Sequence, residues 1–207
     1  MKALAIATER KDASRSSWLS VLMVTLLSSL GLSGCSTSQD FPPIPAPDRV
    51  DLSKFMGDWY VIANIPTVIE KQAYQAVERY QLDEDGSIAT TFSFRDGGFG
   101  EPVKTYHPRG FVTDTTTNAV WGMRFIWPFK ADYRIAHVDH QYRETVIART
   151  ARDYVWIMSR SPTLSENDYC RLLEFVADLG YDLSRVRQVP QVDGGPLIVC
   201  PSAETKP

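Results

Sequence analysis

The chain has 207 residues, of which 43% are hydrophobic and 23% are charged, and its 22 Lys and Arg against 25 Asp and Glu give a net charge of −3. This length suits one folded domain with short appendages. A mildly acidic chain without a Lys/Arg-dense stretch is not typical of nucleic-acid-binding proteins, so we expect no nucleic-acid partner. The aromatic content of 11% excludes a largely disordered chain.

Residues 1–34 have the three parts of an export signal. A polar, net basic stretch over residues 1–17 precedes an apolar run from Trp18 to Leu32, and the small residues Ser33 and Gly34 follow. The apolar run of about 15 residues is shorter than the roughly 20 that a permanent transmembrane helix needs. The pattern therefore predicts a secretory signal peptide, which is removed during export.

The end of this signal resembles a bacterial lipobox, Leu32-Ser33-Gly34-Cys35. The resemblance implies that the chain is cut before Cys35 and that this thiol carries the lipid anchor. Ser36, where an aspartate would mark inner-membrane retention, implies a lipid-anchored protein of the outer membrane. The alternative is an ordinary signal peptide followed by an unrelated cysteine.

The segment after the cysteine is rich in proline, with four prolines between residues 42 and 47. Proline fixes φ and favours the extended polyproline II helix. We therefore expect residues 35–50 to form a lipidated, semi-rigid linker that holds the folded domain away from the bilayer.

Short β-rich runs separated by turn residues follow from Leu52 onward. The turns 83–86 and 95–98 contain Asp and Gly, and the spacing of the runs leaves no room for helices between them. Eight consecutive strands favour an all-β, up-and-down antiparallel barrel wide enough for one small ligand, within a domain at 51–190. The predicted strands are 58–65, 73–82, 88–94, 103–112, 119–126, 133–139, 144–149 and 154–159.

One helix is predicted after the last strand. Ser165 can cap its start with Asp168 three residues on, and Gly180 stands where a C-terminal cap belongs. Tyr169, Leu172, Leu173 and Val176 recur at helical spacing, which predicts a helix packed on the outside of the barrel. Residues 191–207 form a C-terminal tail.

Two motifs resemble the signatures of the lipocalin family. Gly57-Asp58-Trp59 opens the first strand, and Arg160 follows the eighth. In lipocalins this Arg covers the Trp ring at the closed end of the barrel, so the resemblance implies a structural role for Gly57, Trp59 and Arg160. The segment DYVWIMSR and the apparent lipobox further resemble the bacterial outer-membrane lipoprotein subgroup, which is related to animal apolipoprotein D.

The same resemblance implies an amphipathic ligand, a fatty acid or a lysophospholipid, held inside the barrel. Glu78 is unusual there, since a carboxylate facing an apolar cavity is costly unless it is paired or protonated. It either faces a polar mouth, pairs with Arg124 or Arg134, or is turned to solvent by a bulge. The candidate ligand-binding residues are Glu78, Tyr80, Phe92, Trp121, Phe125 and Tyr133.

Two cysteines remain after Cys35. An exported compartment permits a disulfide between Cys170 and Cys200, which would join the helix to the tail. Two free thiols are the alternative.

No hydrolase signature such as G-x-S-x-G is present, so we expect no enzyme. His137, Asp139 and His140 are close in sequence, but residues three apart in a strand face opposite sides, so we expect no metal site and no cofactor. The predicted function is to bind or carry a lipophilic ligand for envelope lipid storage, transport or maintenance. The alternatives are an enzyme acting on a lipid in the cavity or a structural lipoprotein with no ligand. Whether the protein forms a homodimer stays open.

Overall fold

The computed structural model describes residues 41–201, so the predicted signal peptide and the predicted lipid-attachment site Cys35 lie outside the described residues. Within this range the chain forms two α-helices, ten strands and one short 3₁₀ helix, Leu183–Arg185. The helices are α1 (Leu52–Phe55) and α2 (Glu166–Asp178). The strands are β1 (Gly57–Ile65), β2 (Ala73–Leu82), β3 (Ser87–Asp96), β4 (Val103–Tyr106), β5 (Arg109–Val112), β6 (Val120–Ile126), β7 (Phe129–Val138), β8 (Glu144–Ala148), β9 (Val155–Ser159) and β10 (Arg187–Gln188).

Strands β1 to β9 form a closed antiparallel barrel, in which β1 pairs with both β2 and β9. The short strands β4 and β5 both pair with β3, so they share one position and the barrel has eight. This confirms the predicted fold class. The single strand predicted at 103–112 is interrupted at His107 and Pro108, and the Pro108 carbonyl accepts from the Thr90 N–H (3.1 Å).

The register defines two ends of the barrel. At the closed end, the start of β1 pairs with the end of β2, and helix α1 precedes β1. The open end carries the loops 66–72, 97–102 and 149–154 and the turn between β6 and β7. Leu82, the last residue of β2, lies at the closed rim and is 44% exposed.

Arg160 joins the segments that meet at the closed end. Its guanidinium carbon lies 3.8 Å from the centroid of the Trp59 ring. The same group donates to four carbonyls before and within β1, those of Lys54, Phe55, Met56 and Asp58, at 2.6 to 3.0 Å. Gly57 has φ of +95°, and a Cβ there would lie 3.3 Å from Arg160 Nη1. Because Arg160 approaches the Gly57 backbone and covers the Trp59 ring, the motif needs all three of these residues.

Helix α2 packs on the outside of the barrel, as predicted. Ser165 caps it by accepting from the Asp168 N–H (3.1 Å), and Gly180 follows its end with a positive φ. The buried helix residues Tyr169, Leu172 and Val176 pack in an apolar cluster with outward-facing residues of β1, β8 and β9. Within residues 41–201, no helix is long and apolar enough to cross a membrane.

A disulfide between Cys170 and Cys200 joins α2 to the tail, with the Cα atoms 5.5 Å apart. The short strand β10, which sequence patterns did not predict, pairs with Ala63 and Asn64 of β1, beyond the residues of β1 that pair with β2, and precedes this tail. The Gln188 side chain accepts from the Ile198 N–H (2.8 Å) and donates to the Ile198 carbonyl (2.6 Å). The tail is therefore fixed against the barrel as far as Cys200.

Residues 41–50, the described part of the semi-rigid linker predicted at 35–50, form a strap along the outside of the barrel. Every third residue of the strap, 41, 44, 47 and 50, is partly or fully buried, as expected for a proline-rich extended helix with three residues per turn. Val50 donates to the Thr117 carbonyl (2.7 Å) at the closed end. Ten residues at about 3.1 Å each span roughly 30 Å, so the strap extends toward the open end.

The strap is fixed at the open end by Arg152, which lies in the loop between β8 and β9. Its buried guanidinium lies 5.1 Å from the Phe41 ring, and it donates to the carbonyls of Pro42 and Leu179. A Cβ at Gly180 would lie 2.8 Å from Phe41 Cδ1, so glycine is required beside the strap. The described chain therefore begins at the open end of the barrel.

Replacing Arg160 tests the contribution of the closed end to stability. We expect Arg160→Lys to lower the free energy of unfolding by about 2–3 kcal/mol, because an ammonium cannot reproduce the planar set of donors to several carbonyls. Chemical denaturation measures the change. Arg143→Lys, at an exposed site of the same end, is the matched control. Equal stability of the two variants would contradict the role given to Arg160.

Candidate functional site

The closed half of the barrel interior is filled by aromatic side chains. Phe55 lies 5.1 Å from Trp59, 5.7 Å from Tyr80 and 5.5 Å from Trp121, measured between ring centroids. Two of these rings also have hydrogen-bonded polar atoms, since Trp59 Nε1 donates to the Phe55 carbonyl and Trp121 Nε1 to that of Asn118, each at 2.8 Å. These four residues, which we call the floor, leave the open half as the place for a ligand.

A small cavity of about 60 Å³ lies above the floor. Pockets that bind drug-sized ligands measure roughly 300–1,000 Å³, so this space is narrow. Its wall combines apolar side chains with a few polar groups. The lining residues are Thr67, Glu78, Thr90, Phe92, Pro108, Met123, Phe125, Ala131, Asp132, Tyr133, Arg149 and Trp156.

The structure places four of the six candidate ligand-binding residues, Glu78, Phe92, Phe125 and Tyr133, against this cavity. Phe125 is at its rim and is 54% exposed. The other two, Tyr80 and Trp121, lie below it in the floor. Strand alternation alone did not settle which of the candidates face inward, and it could not say how far along the barrel the floor extends.

Glu78 lies in a network of hydroxyl groups and not in an ion pair. The Tyr80 hydroxyl donates to the Glu78 carboxylate and also contacts the Tyr133 hydroxyl. Neither arginine predicted as a partner reaches it, because Arg134 pairs with Asp132 and Arg124 stacks on Phe111. Burial, with a further contribution from Glu70, raises the pKa of Glu78 to about 8. The carboxyl group is therefore mainly neutral at pH 7.

A second buried carboxyl group, Glu70, comes from the loop between β1 and β2. It is 2% exposed, and it accepts from the Thr67 N–H (3.1 Å) and from Trp156 Nε1 (3.5 Å). Burial raises the pKa of Glu70 above its ordinary value. Asn64 is also fully buried, and its side-chain amide has no hydrogen-bond partner.

Arg149 is one of the residues that line the cavity. Its Nη1 lies 3.3 Å from the Asp153 carboxylate, and its guanidinium stacks 5.2 Å from the Tyr154 ring. Its Nε is buried without a hydrogen-bond acceptor. Because a buried donor without a partner is costly, this N–H can stabilise an anionic or carbonyl oxygen of a ligand.

Sequence reasoning missed Glu70, Asn64 and Arg149. One signal was available for Glu70, since it is the acidic residue of the segment TVIEKQ that joins two predicted strands at one end of the barrel. Arg149 ends a predicted strand in the same way. Among residues 41–201, no group of three or more His, Cys, Asp and Glu side chains is arranged to hold a metal ion.

A larger groove of about 530 Å³ lies outside the barrel, between β1 and the C-terminal tail. Its walls include Ile62, Leu164 and Leu197, and it is separate from the cavity above the floor.

Comparison with known proteins matches residues 50–191 to the family model described as a lipocalin-like domain. Temperature-induced lipocalin-1 of Arabidopsis thaliana is 27% identical over 162 residues, covering 71% of this chain and 82% of the plant protein. Outer membrane lipoprotein Blc of Escherichia coli K12 is 26% identical over 167 residues, covering 76% and 88%. Bovine apolipoprotein D is 26% identical over 177 residues, covering 79% and 91%.

Solved structures show the same fold. Insecticyanin of the tobacco hornworm Manduca sexta superposes with a TM-score of 0.58 at 17% identity, covering 74% of this chain and 87% of insecticyanin. Apocrustacyanin C2 superposes with a TM-score of 0.56 at 10% identity, covering 73% and 92%. At these identities the likeness concerns the fold alone.

The pH dependence of stability tests the environment of Glu78. The native carboxyl group keeps its proton to about pH 8, whereas in the unfolded chain it ionises near its ordinary pKa of 4.5. Between these two pH values the native state therefore binds more protons than the unfolded state. The contribution of Glu78 to the free energy of unfolding is lost as pH rises from 4.5 through 8. We expect Glu78→Gln to remove this loss, gaining on the order of 1–3 kcal/mol relative to wild type between pH 5 and pH 8.5.

Urea denaturation at several pH values measures this difference. Glu84→Gln, on an exposed turn, is the matched control and should follow the wild type at every pH. A constant difference between Glu78→Gln and wild type across the pH range would show that Glu78 ionises as it does in water.

Proposed function

The chain belongs to the lipocalin family, and from this premise we propose that it binds an acyl-chain lipid, a fatty acid or a lysophospholipid, in the open half of its barrel. Family membership supports binding of a lipophilic ligand. We further propose that Cys35 carries a lipid that anchors the protein in the outer membrane, where this ligand class is stored, carried or removed. The similarity to bacterial outer membrane lipoproteins supports this location.

The observation that carries the ligand proposal is the combination of groups in the cavity wall. Phe92, Met123 and Trp156 provide an apolar surface for an acyl chain. Arg149 provides the unpartnered Nε–H donor, which suits the phosphate of a lysophospholipid or the carboxylate of a fatty acid. Because Glu78 is mainly neutral at pH 7, it adds little charge repulsion against such a head group.

The cavity must widen to hold an acyl chain. Methionine side chains such as that of Met123 are flexible and polarisable, and Phe125 at the rim is 54% exposed. Rotation of these two side chains would open the space toward the mouth without moving the floor. We therefore expect the ligand to enter at the open end and to stop above Tyr80.

The narrow cavity favours one alternative function, a structural lipoprotein whose barrel is filled by its own side chains. The aromatic floor and the volume of about 60 Å³ are the observations that support it. The third possibility, catalysis on a lipid, has no such support, since lipocalins are generally binding or transport proteins. We expect no catalytic step.

Titration of the domain with lipids separates these functions. The two apolar clusters lie wholly within residues 41–201, and Asp40–Pro207 is a compact unit, so a chain that starts at Asp40 lacks the anchor but keeps every described contact. Isothermal titration with a C16 lysophospholipid and with a C16 fatty acid, as two separate arms, measures saturable 1:1 binding and shows which head group is preferred.

We expect Arg149→Gln to weaken binding about tenfold, since a charge-assisted hydrogen bond contributes about 1.5–3 kcal/mol. Arg143→Gln, at the closed end, is the matched control and should bind like wild type. Ala131→Trp, which fills the mouth, should abolish binding and leave the thermal stability nearly unchanged. A barrel that binds neither lipid would contradict the proposal and favour the structural function, and conversion of an added lipid would favour an enzyme.

A further inference from the structure

The turn between β6 and β7 exposes four large apolar side chains at one point of the surface. Residues 125–129, which we call the tip, have the sequence Phe-Ile-Trp-Pro-Phe. Phe125, Ile126, Trp127 and Phe129 are 54%, 73%, 77% and 76% exposed, respectively. Soluble surfaces rarely present such a contiguous apolar group without a partner to cover it.

Two basic residues flank the tip. Arg124 and Lys130 lie over the Phe111 ring, with the Arg124 guanidinium carbon at 4.8 Å and Lys130 Nζ at 4.1 Å from its centroid. Phe111 is in β5, and its neighbour Gly110 faces the interior residues Ile88, Trp121 and Met123, so Phe111 faces outward. Both cations are therefore on the outer wall of the barrel, below the tip. Four exposed apolar side chains with Trp127 among them, and cations behind them, suit a lipid interface, where the hydrocarbon is followed outward by the phosphates of the head groups.

The course of the strap points to the same surface. Its first described residue, Phe41, is held by Arg152 at the open end, and the tip is at that end too. Cys35 is six residues earlier, so an extended chain could place it at most about 20 Å from Phe41. This step rests on the anchoring proposed above. A lipid on Cys35 would then hold the open end, and not the closed end, near the bilayer.

We propose that the tip inserts into the interfacial region of a phospholipid bilayer, so that the barrel stands with its mouth toward the membrane. Phe125 belongs both to the tip and to the cavity rim, so insertion places the entrance of the cavity at the lipid surface. A lipid could then pass between bilayer and barrel without crossing water. The proposed binding partner of the tip is a lipid surface. The alternative partner, which the experiment distinguishes, is a second copy of the chain.

Vesicle co-sedimentation of the chain that starts at Asp40 tests the tip without the anchor. The probes are vesicles of phosphatidylethanolamine with 25% phosphatidylglycerol. We expect wild type to bind, and the double variant Trp127→Ser/Phe129→Ser to bind at least about tenfold more weakly, because two large side chains leave the interface. Leu82→Ser, an exposed apolar position at the closed end, is the matched control and should bind like wild type.

A second measurement locates the contact. Brominated lipids should quench the fluorescence of Trp127 in wild type, and Trp127→Phe should keep vesicle binding but lose most of this quenching. Equal binding of wild type and the double variant would overturn the proposal, as would the absence of any binding by wild type. Concentration-dependent dimers that disappear in the double variant, without vesicle binding, would also overturn it and assign the tip to a second copy.

The outcome is independent of the ligand proposal. The double variant changes no residue of the cavity wall, so it should bind C16 lysophospholipid in titration as wild type does. Vesicle binding without ligand binding would support the membrane role of the tip and contradict the proposed function. Ligand binding without vesicle binding would support the proposed function and contradict the membrane role of the tip.

Discussion

The contact between Arg160 and Trp59 is the constraint on which the rest of the barrel depends. One guanidinium covers the indole ring and satisfies carbonyl groups from α1 to the start of β1, so the two ends of the barrel domain are joined at one point. Phe55, which this arrangement holds in place, then packs against three other aromatic rings. The closed half is consequently solid, and whatever the barrel binds has to lie above it.

The open half differs because its interior carries polar groups. Burial raises the pKa values of both Glu70 and Glu78, and charge repulsion from Glu70 raises the pKa of Glu78 further. Such groups reduce the stability of the native state as pH rises, and a fold that needed only a packed core would gain by replacing them with apolar residues. Glu78 lines the same cavity as Arg149, which fits the proposed binding of an amphipathic molecule.

The outer coverings determine how this site faces its surroundings. Helix α2 covers the outward face of β1, β8 and β9, and the strap extends beside the barrel from Thr117 to Arg152. The chain therefore enters at the open end, although the first strand begins at the closed end. The proline-rich segment, predicted as a semi-rigid linker, therefore runs from the open end of the barrel to the start of the first strand.

The fold could be predicted from the sequence because its signals are local. Strand alternation, turn residues and the Ser165 cap lie within a few residues of one another, and the motif around Trp59 with Arg160 identified the family. The strap could not be predicted, because the three-residue period of Ile44, Pro47 and Val50 gains meaning only when a barrel lies beside it. The positions of Glu70 and Arg149 could not be predicted either. Both residues belong to loops at the open end, and these loops come together only when the barrel closes.

The central claim, that a ligand lies above an aromatic floor in the open half, can be tested by the methyl resonances of methionine. The chain from Asp40 onward contains Met56 and Met158 in the closed half and Met123 at the cavity wall. During titration with C16 lysophospholipid in ¹³C-methyl-methionine-labelled protein, we predict that the Met123 resonance shifts and saturates at one equivalent while those of Met56 and Met158 stay in place. Equal shifts of all three, or a shift of Met158 alone, would contradict the account.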